Sequence, residues 1–304
     1  TFEYYNRKTE DMLLDYPMAM SLGFSGYNKN IGSMRNSGFE FTLSGDIIRK
    51  DNFNWNMTVM GSTVKNKVLH LTENGEPIVG SSSIIAEGEE INSFYLPMGA
   101  GVDPATGDKL YLTWEEDETT GERIYGTTTN QSVAQNYREV RGSRIPDLYG
   151  SISNDFRFGN FDINLLCTYS IGGKMLDNLY YEFLYNTYPG TAGHVDRAKA
   201  WQKPGDVTDI PRIDVGGRMS IGYTADNLIT ASYFSIKSFT LGYSLPEKWM
   251  RAINMKSIRF TLSGDNLWLL AARKGLDPQY DFSGSVGYSY TPERTISFGV
   301  DINF

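Results

Sequence analysis

Three observations predict an all-β chain, an antiparallel transmembrane β-barrel wall of about eight strands joined in part by long loops. First, the closing stretch Arg294 to Phe304 sets Ile296, Phe298, Val300, Ile302 and Phe304 at every second position, with Thr295, Ser297, Gly299, Asp301 and Asn303 between them. Successive strand side chains point to opposite faces, so one face is apolar and the other small or polar. A tilted strand of this length crosses a bilayer core. Second, the same alternation recurs upstream in pairs of runs. Third, the connections between runs alternate short and long.

Taken in order, Thr1 to Lys8 reads as a short aromatic strand, and Met12 to Asn36, rich in Gly, Ser and Asn, as a loop. Phe39, Phe41, Leu43 and Ile47 then alternate with Glu40, Thr42, Ser44 and Asp46. After the polar turn Arg49 to Asn52, Phe53, Trp55, Met57 and Val59 alternate with Asn54, Asn56 and Thr58, which makes a hairpin. From about 65 to 143 the period dissolves, leaving strand-like islands at Ser93 to Leu96 and Lys109 to Trp114; an excursion that long is usually functional. A second hairpin sets Ile152, Phe156 and Phe158 before Gly159-Asn160 and Phe161, Ile163, Leu165, Cys167 and Tyr169 after it, and Gly-Asn suits a two-residue turn. Another excursion, about Gly172 to Ala231, carries a predicted helix over Leu176 to Tyr185. The third hairpin runs from Tyr233 to Leu245, turns through Pro246 to Met250 and returns as Ile258, Phe260 and Leu262. A last loop, about Leu269 to Glu293, leads into the closing strand.

In an up-and-down barrel, alternate connections lie at opposite rims. The short turns near 50, 160 and 250 therefore share one rim and the long loops near 25, 105, 200 and 280 the other. That asymmetry belongs to outer-membrane barrels, with short periplasmic turns and long extracellular loops. Phe304 falls on the short-turn side, and Leu43, Phe156, Phe260 and Phe298 are expected to face hydrocarbon.

Composition agrees. Mean hydropathy is -0.37, and no run approaches the ~18 apolar residues of a transmembrane helix. The 20 Tyr, 16 Phe and 31 Gly lean toward strand. A net charge of -8 argues against a nucleic-acid backbone as partner. The single cysteine, Cys167, excludes an intrachain disulfide and reads as a small apolar residue. No signal peptide opens the sequence, which is expected of a processed chain or the tail of a longer one.

Five stretches carry a resemblance: Asn30 to Glu40 (NIGSMRNSGFE), Ala100 to Asp108 (AGVDPATGD), Ser232 to Pro246 (SYFSIKSFTLGYSLP), Leu262 to Trp268 (LSGDNLW) and Arg294 to Phe304 (RTISFGVDINF). In this order they resemble the C-terminal third of SusC/RagA-like TonB-dependent outer-membrane transporters. The resemblance implies that residues 1–304 are the C-terminal barrel portion of a 22-stranded, plugged barrel, with the plug and the TonB-contacting region outside the sequence. It further implies uptake of a nutrient too large for porins, an oligosaccharide foremost or a peptide. The implied partners are a SusD-like surface lipoprotein, TonB through the missing N-terminal region, and outer-membrane lipid. The alternative is a self-contained eight-stranded barrel with an adhesion or structural role, since eight strands can close alone. The small inward residues Ser151, Ser153, Thr261, Ser263, Ser297 and Gly299 suit a wider bore.

No catalytic constellation emerges, and neither an enzymatic role nor a cofactor is expected. His70 and His194 lie in different excursions without ligand-spaced partners. Gly172-Gly-Lys174 lacks the spacing of a phosphate loop and reads as a strand-end turn. Glu115 to Glu118, with Asp103 and Asp108, could offer oxygens to calcium but reads first as a solvated charge run. The candidate contacts for substrate or partner are Tyr180, Tyr181, Phe183, Tyr185 and Trp201, with Tyr188 beside them. Leu176, Leu179, Tyr180 and Phe183 recur at three- and four-residue spacing and form an apolar stripe. The stripe must bury against the chain's own loops and wall or against a partner; the aromatics can pack internally, stack on sugar or seat a lid protein.

Overall fold

The computed structural model describes residues 1–18, 21, 23, 26–71, 75–185, 190, 192–214, 221–279, 284, 285 and 290–304. Eight strands pair antiparallel in chain order: β1 Phe2–Glu10, β2 Ser33–Lys50, β3 Phe53–Ser62, β4 Leu148–Phe158, β5 Phe161–Ile171, β6 Tyr233–Ser244, β7 Ser257–Ala271 and β8 Thr295–Asn303. A short strand, Lys65–His70, adds to the far half of β2. The three predicted hairpins are present, and the third turns through a helical segment, Glu247–Ala252. Among the described residues β1 and β8 do not pair, so the sheet is an open stretch of wall with two free edges. The closed eight-stranded alternative therefore does not hold: closure would satisfy the edge N–H and C=O groups, and here they await neighbours.

Register carries one apolar face across the sheet. Ile48, Trp55, Phe156, Ile163, Leu241, Leu262 and Phe298 stand side by side in one row. Leu43, Val59, Ile152, Cys167, Ile236 and Trp268 form another, farther from the short turns. This face stays bare: Leu43 is 65% and Phe298 70% exposed, so nothing among the described residues covers it. Aromatic rings bound it toward both rims. Phe53, Phe158, Phe161, Tyr243 and Phe260 lie by the short turns, and Phe2, Phe41, Tyr169 and Phe234 by the long loops. Phe260 thus belongs to a rim row, a depth the alternation alone does not reveal.

Between Phe41 and Tyr169 the row holds Gly61 and Gly150, and the flanking rings fill the space that side chains would take. A Cβ on Gly61 would meet the Phe41 ring at 2.4 Å. Asn154 is the polar intruder on the apolar face, and it accepts a hydrogen bond from Trp55 Nε1 at 3.1 Å, which removes the cost of an unpaired amide oxygen.

The opposite face is polar. Asp46, Asn56, Asp155, Asn164, Thr240, Ser263 and Ser297 share one row, and Arg49, Asn54, Arg157, Asp162, Gly242, Thr261 and Gly299 the next. Asn164 donates to Asp155 at 2.6 Å, and Arg259 grips Asp162 with two bonds of 2.6 and 2.7 Å. Ser151, Ser153, Thr261, Ser263, Ser297 and Gly299 all lie on this face.

Three sequence expectations need correction. A bulge between Asp46 and Ile48 brings Ile48, rather than Ile47, opposite Trp55. Met12 to Asn36 is not a plain loop: Leu13–Pro17 pairs with Gly26–Asn30, and β2 begins at Ser33. Composition hid that small hairpin, because its second strand, Gly-Tyr-Asn-Lys-Asn, is polar and its first, Leu-Leu-Asp-Tyr-Pro, shows no apolar alternation. The helix predicted from Leu176 starts at Asn178, since Leu176 ends a short strand, Lys174–Leu176, bonded to Leu228–Thr230.

Candidate functional site

The long excursions pack together at one rim into a cap with its own core. Phe94, Leu96 and Leu176 are buried against Tyr223 and Leu228. Val68, Leu71, Tyr111 and Met175 are buried in the same loops. Polar bonds tie the excursions to one another: Lys109 to Asp226 at 3.0 Å, Arg212 to Asp108 at 2.9 Å, and the Gly222 N–H to the Tyr111 hydroxyl at 3.1 Å.

The helix Asn178–Tyr185 carries four of the five candidate contacts. Asp177 caps it by accepting from the Tyr180 N–H at 3.1 Å. The other oxygen of that nearly buried carboxylate takes Arg273 Nε at 2.7 Å. The Arg273 guanidinium lies 3.6 Å from the Tyr180 ring centre, and the Tyr180 hydroxyl donates to Asp196 at 2.9 Å. Tyr181 packs on Tyr185 and Tyr223, with centroids 5.0 and 4.3 Å apart, and donates to the Ile221 carbonyl. Phe183 is half-buried, and Leu184, the next residue, is the most buried of the helix. Trp201 stands apart: its Nε1 donates to the Pro104 carbonyl at 3.0 Å, and a Cβ on Gly107 would meet its ring at 2.4 Å. The cap thus brings Tyr180, Tyr181, Phe183 and Tyr185 together and places Trp201 over the 103–108 turn. Tyr188 lies outside the described residues.

Beside the helix is a cavity of about 430 Å³. Its lining includes Lys109 with Asp226, Asp177 with Arg273, and Tyr185 and Asp209. Burial, then the charge of Asp226, pushes the Tyr185 phenol up to about 12, so it is a neutral donor at physiological pH. Burial also raises Tyr181. Sequence reading singled out Tyr180 and Tyr185 but missed the ion pairs. Their members are separated by 117 and 96 positions in the chain, and no local pattern joins them.

Of the acidic positions near 103–122, Glu115 and Glu116 end a strand, Lys109–Glu116, and the others lie in two turns of nearly the same sequence, Asp103-Pro-Ala-Thr-Gly-Asp108 and Asp117-Glu-Thr-Thr-Gly-Glu122. Asp103 accepts from Ala105 N and Thr106 Oγ1, both at 2.9 Å; Asp117 accepts from Thr119 N and Thr120 N, both at 2.8 Å. These donors hold both carboxyls below the usual range. Among the described residues no group of three or more His, Cys, Asp or Glu could hold a metal ion.

No family model matches the chain. Individual relatives do. TonB-dependent receptor P3 of Formosa agariphila is 29% identical over 327 residues, covering 100% of the chain and 32% of the relative. SusC of Bacteroides thetaiotaomicron, also named a TonB-dependent receptor, is 22% identical and covers 99% and 29%. A solved structure of the RagAB peptide transporter superposes with a TM-score of 0.85 at 24% identity, over 100% of the chain and 33% of that protein. Over its whole length the chain is similar to TonB-dependent receptors, SusC among them, and its fold matches a stretch of the RagAB structure. A second state of the same system, the open-open RagAB peptide importer, gives a TM-score of 0.81 at 23% identity. The chain spans about a third of the length of these relatives. That share accounts for the open edges of the sheet, which a larger SusC-like wall would continue.

Proposed function

We propose that residues 1–304 form the C-terminal part of an outer-membrane, TonB-dependent importer of a large oligosaccharide, working with a SusD-like lipoprotein over its mouth. TonB would act through the N-terminal region outside this sequence. The observation that carries the reading is the two-faced wall. Its bare apolar rows between aromatic borders suit lipid, and its rows of Asp, Asn, Arg, Ser and Thr suit a hydrated lumen. The cap faces outward in this reading, and Tyr180, Tyr181, Phe183, Tyr185 and Trp201 are its proposed contacts with cargo or lid. A second reading, peptide import, draws on the structural relatives described as RagAB peptide transporters.

The test is uptake by cells that make the full-length receptor, compared with a deletion strain. The oligosaccharide reading expects deletion to abolish uptake of at least one oligosaccharide while leaving peptide uptake intact. Phe183→Ala or Trp201→Ala should reduce uptake or lid association while the wall still assembles. Loss of peptide uptake alone would transfer the reading to peptides.

A further inference from the structure

We propose that the cavity beside the helix Asn178–Tyr185 is a subsite for one neutral, hydroxyl-rich sugar residue, and that it discriminates against anionic sugars. The inference rests on the import reading above and adds where a sugar is held and of which charge class.

The volume, about 430 Å³, falls in the range of small-ligand sites. The lining alternates the two chemistries a sugar presents. Leu184, Ile210 and Ile229 offer apolar surface to ring C–H groups, and the polar atoms offer both donors and acceptors to hydroxyls. Tyr185 is the free donor, because its hydroxyl has no hydrogen-bond partner among the described residues. Tyr185 is half-buried, and a hydroxyl without a protein partner there is available to donate to a ligand or to water. Asp226 gives one oxygen to Lys109, and its other oxygen accepts no hydrogen bond among the described residues. Asp209 is exposed, lines the cavity and makes no ion pair among the described residues. Adjacent ligand hydroxyls can therefore accept from Tyr185 and donate to Asp226 and Asp209.

Charge sets the selectivity. Lys109 is neutralised by Asp226 and Arg273 by Asp177, at 3.0 and 2.7 Å. Asp209 is left over, and the cavity carries an excess negative charge. A uronate or sulfate would meet that charge with both nearby cations already engaged, whereas a neutral ring meets no repulsion. Gly101, at φ 85°, has open space where a side chain would stand, so the backbone leaves the cavity unobstructed there.

The test uses the full-length receptor in detergent, screened against an array of neutral, uronate-bearing and sulfated oligosaccharides together with cationic and neutral peptides. The expected result is retention of neutral oligosaccharides, a roughly fivefold to tenfold weaker affinity in Tyr185→Phe, and gain of anionic oligosaccharides in Asp209→Lys. Tyr185→Phe removes a hydroxyl that bonds to nothing among the described residues, so a binding loss at unchanged cap stability reads on the ligand. If neutral oligosaccharides bind and neither variant changes affinity or selectivity, this subsite is wrong while the import reading stands. An array led by anionic sugars also overturns it. An array led by peptides, or one that is blank, overturns both.

Discussion

The wall and the cap use the same apolar residue types in opposite ways. In the wall they point away from the protein: Leu43, Phe298 and Ile296 are largely exposed, and Cys167 is the one buried apolar residue of the eight strands. In the cap they point inward: Phe94, Leu96, Tyr111, Met175 and Leu176 are all at most 5% exposed. The wall is held by its hydrogen-bond ladder and needs an apolar solvent outside it. The cap is a small water-facing domain built from loops, with a core of its own. Damage to one should therefore leave the other standing, and each prediction below can break that separation.

The largest effect is expected at Leu96, which is 1% exposed in the cap core. Leu96→Ala should cost the cap about 2–5 kcal/mol. Limited proteolysis should then cut the excursions while the heat-modifiable barrel band on a gel is unchanged. Loss of the band would show that wall and cap fold as one unit.

Next comes Ile152, in the row between Val59 and Cys167, one row in from the aromatic border by the long loops. Ile152→Arg should cost more than Phe260→Arg, which in the rim row costs about 0–1 kcal/mol, and less than the about 2–4 kcal/mol of the midplane row that holds Met57, Asn154 and Leu165. Ser153→Arg, on the polar face, should be tolerated. Folding into lipid vesicles measures all three, and equal penalties at Ile152 and Ser153 would refute the assigned faces.

A smaller contrast lies between the twin turns. Gly107 and Gly121 have φ of 76° and 70°, so alanine is strained at both, by about 1 kcal/mol or more. At Gly107 the new methyl also meets the Trp201 ring, whereas Gly121 faces open space. Thermal melting of the cap should therefore rank Gly107→Ala as the more damaging, and equal shifts would mean that Trp201 does not pack there.

These contrasts mark what could be read from sequence. Each wall strand declares its own face, because a period of two needs only neighbouring residues; Ile152, Ile163 and Phe298 were legible at once. A bulge breaks the period, and Ile47 was misplaced for that reason. Depth was not legible either, since it is set by pairing across strands, and Phe260 reached the rim row only through Tyr243 and Phe161. In the cap, Tyr180 and Tyr185 showed themselves as a local cluster. Asp177, Lys109, Asp226 and Arg273 did not, because each acquires its meaning from a partner brought in by another excursion.

The central claim is that the cap and the short turns lie on opposite sides of an outer membrane. Thr119 sits in the exposed second turn of the cap, Asp51 in the short turn between β2 and β3, and Cys167 is buried. Intact cells making Thr119→Cys or Asp51→Cys receptors would be treated with a membrane-impermeant thiol reagent, with the parent protein as the blank. The account predicts labelling at position 119 and none at position 51 until the cells are lysed. Labelling at 51 with protection at 119 would contradict it.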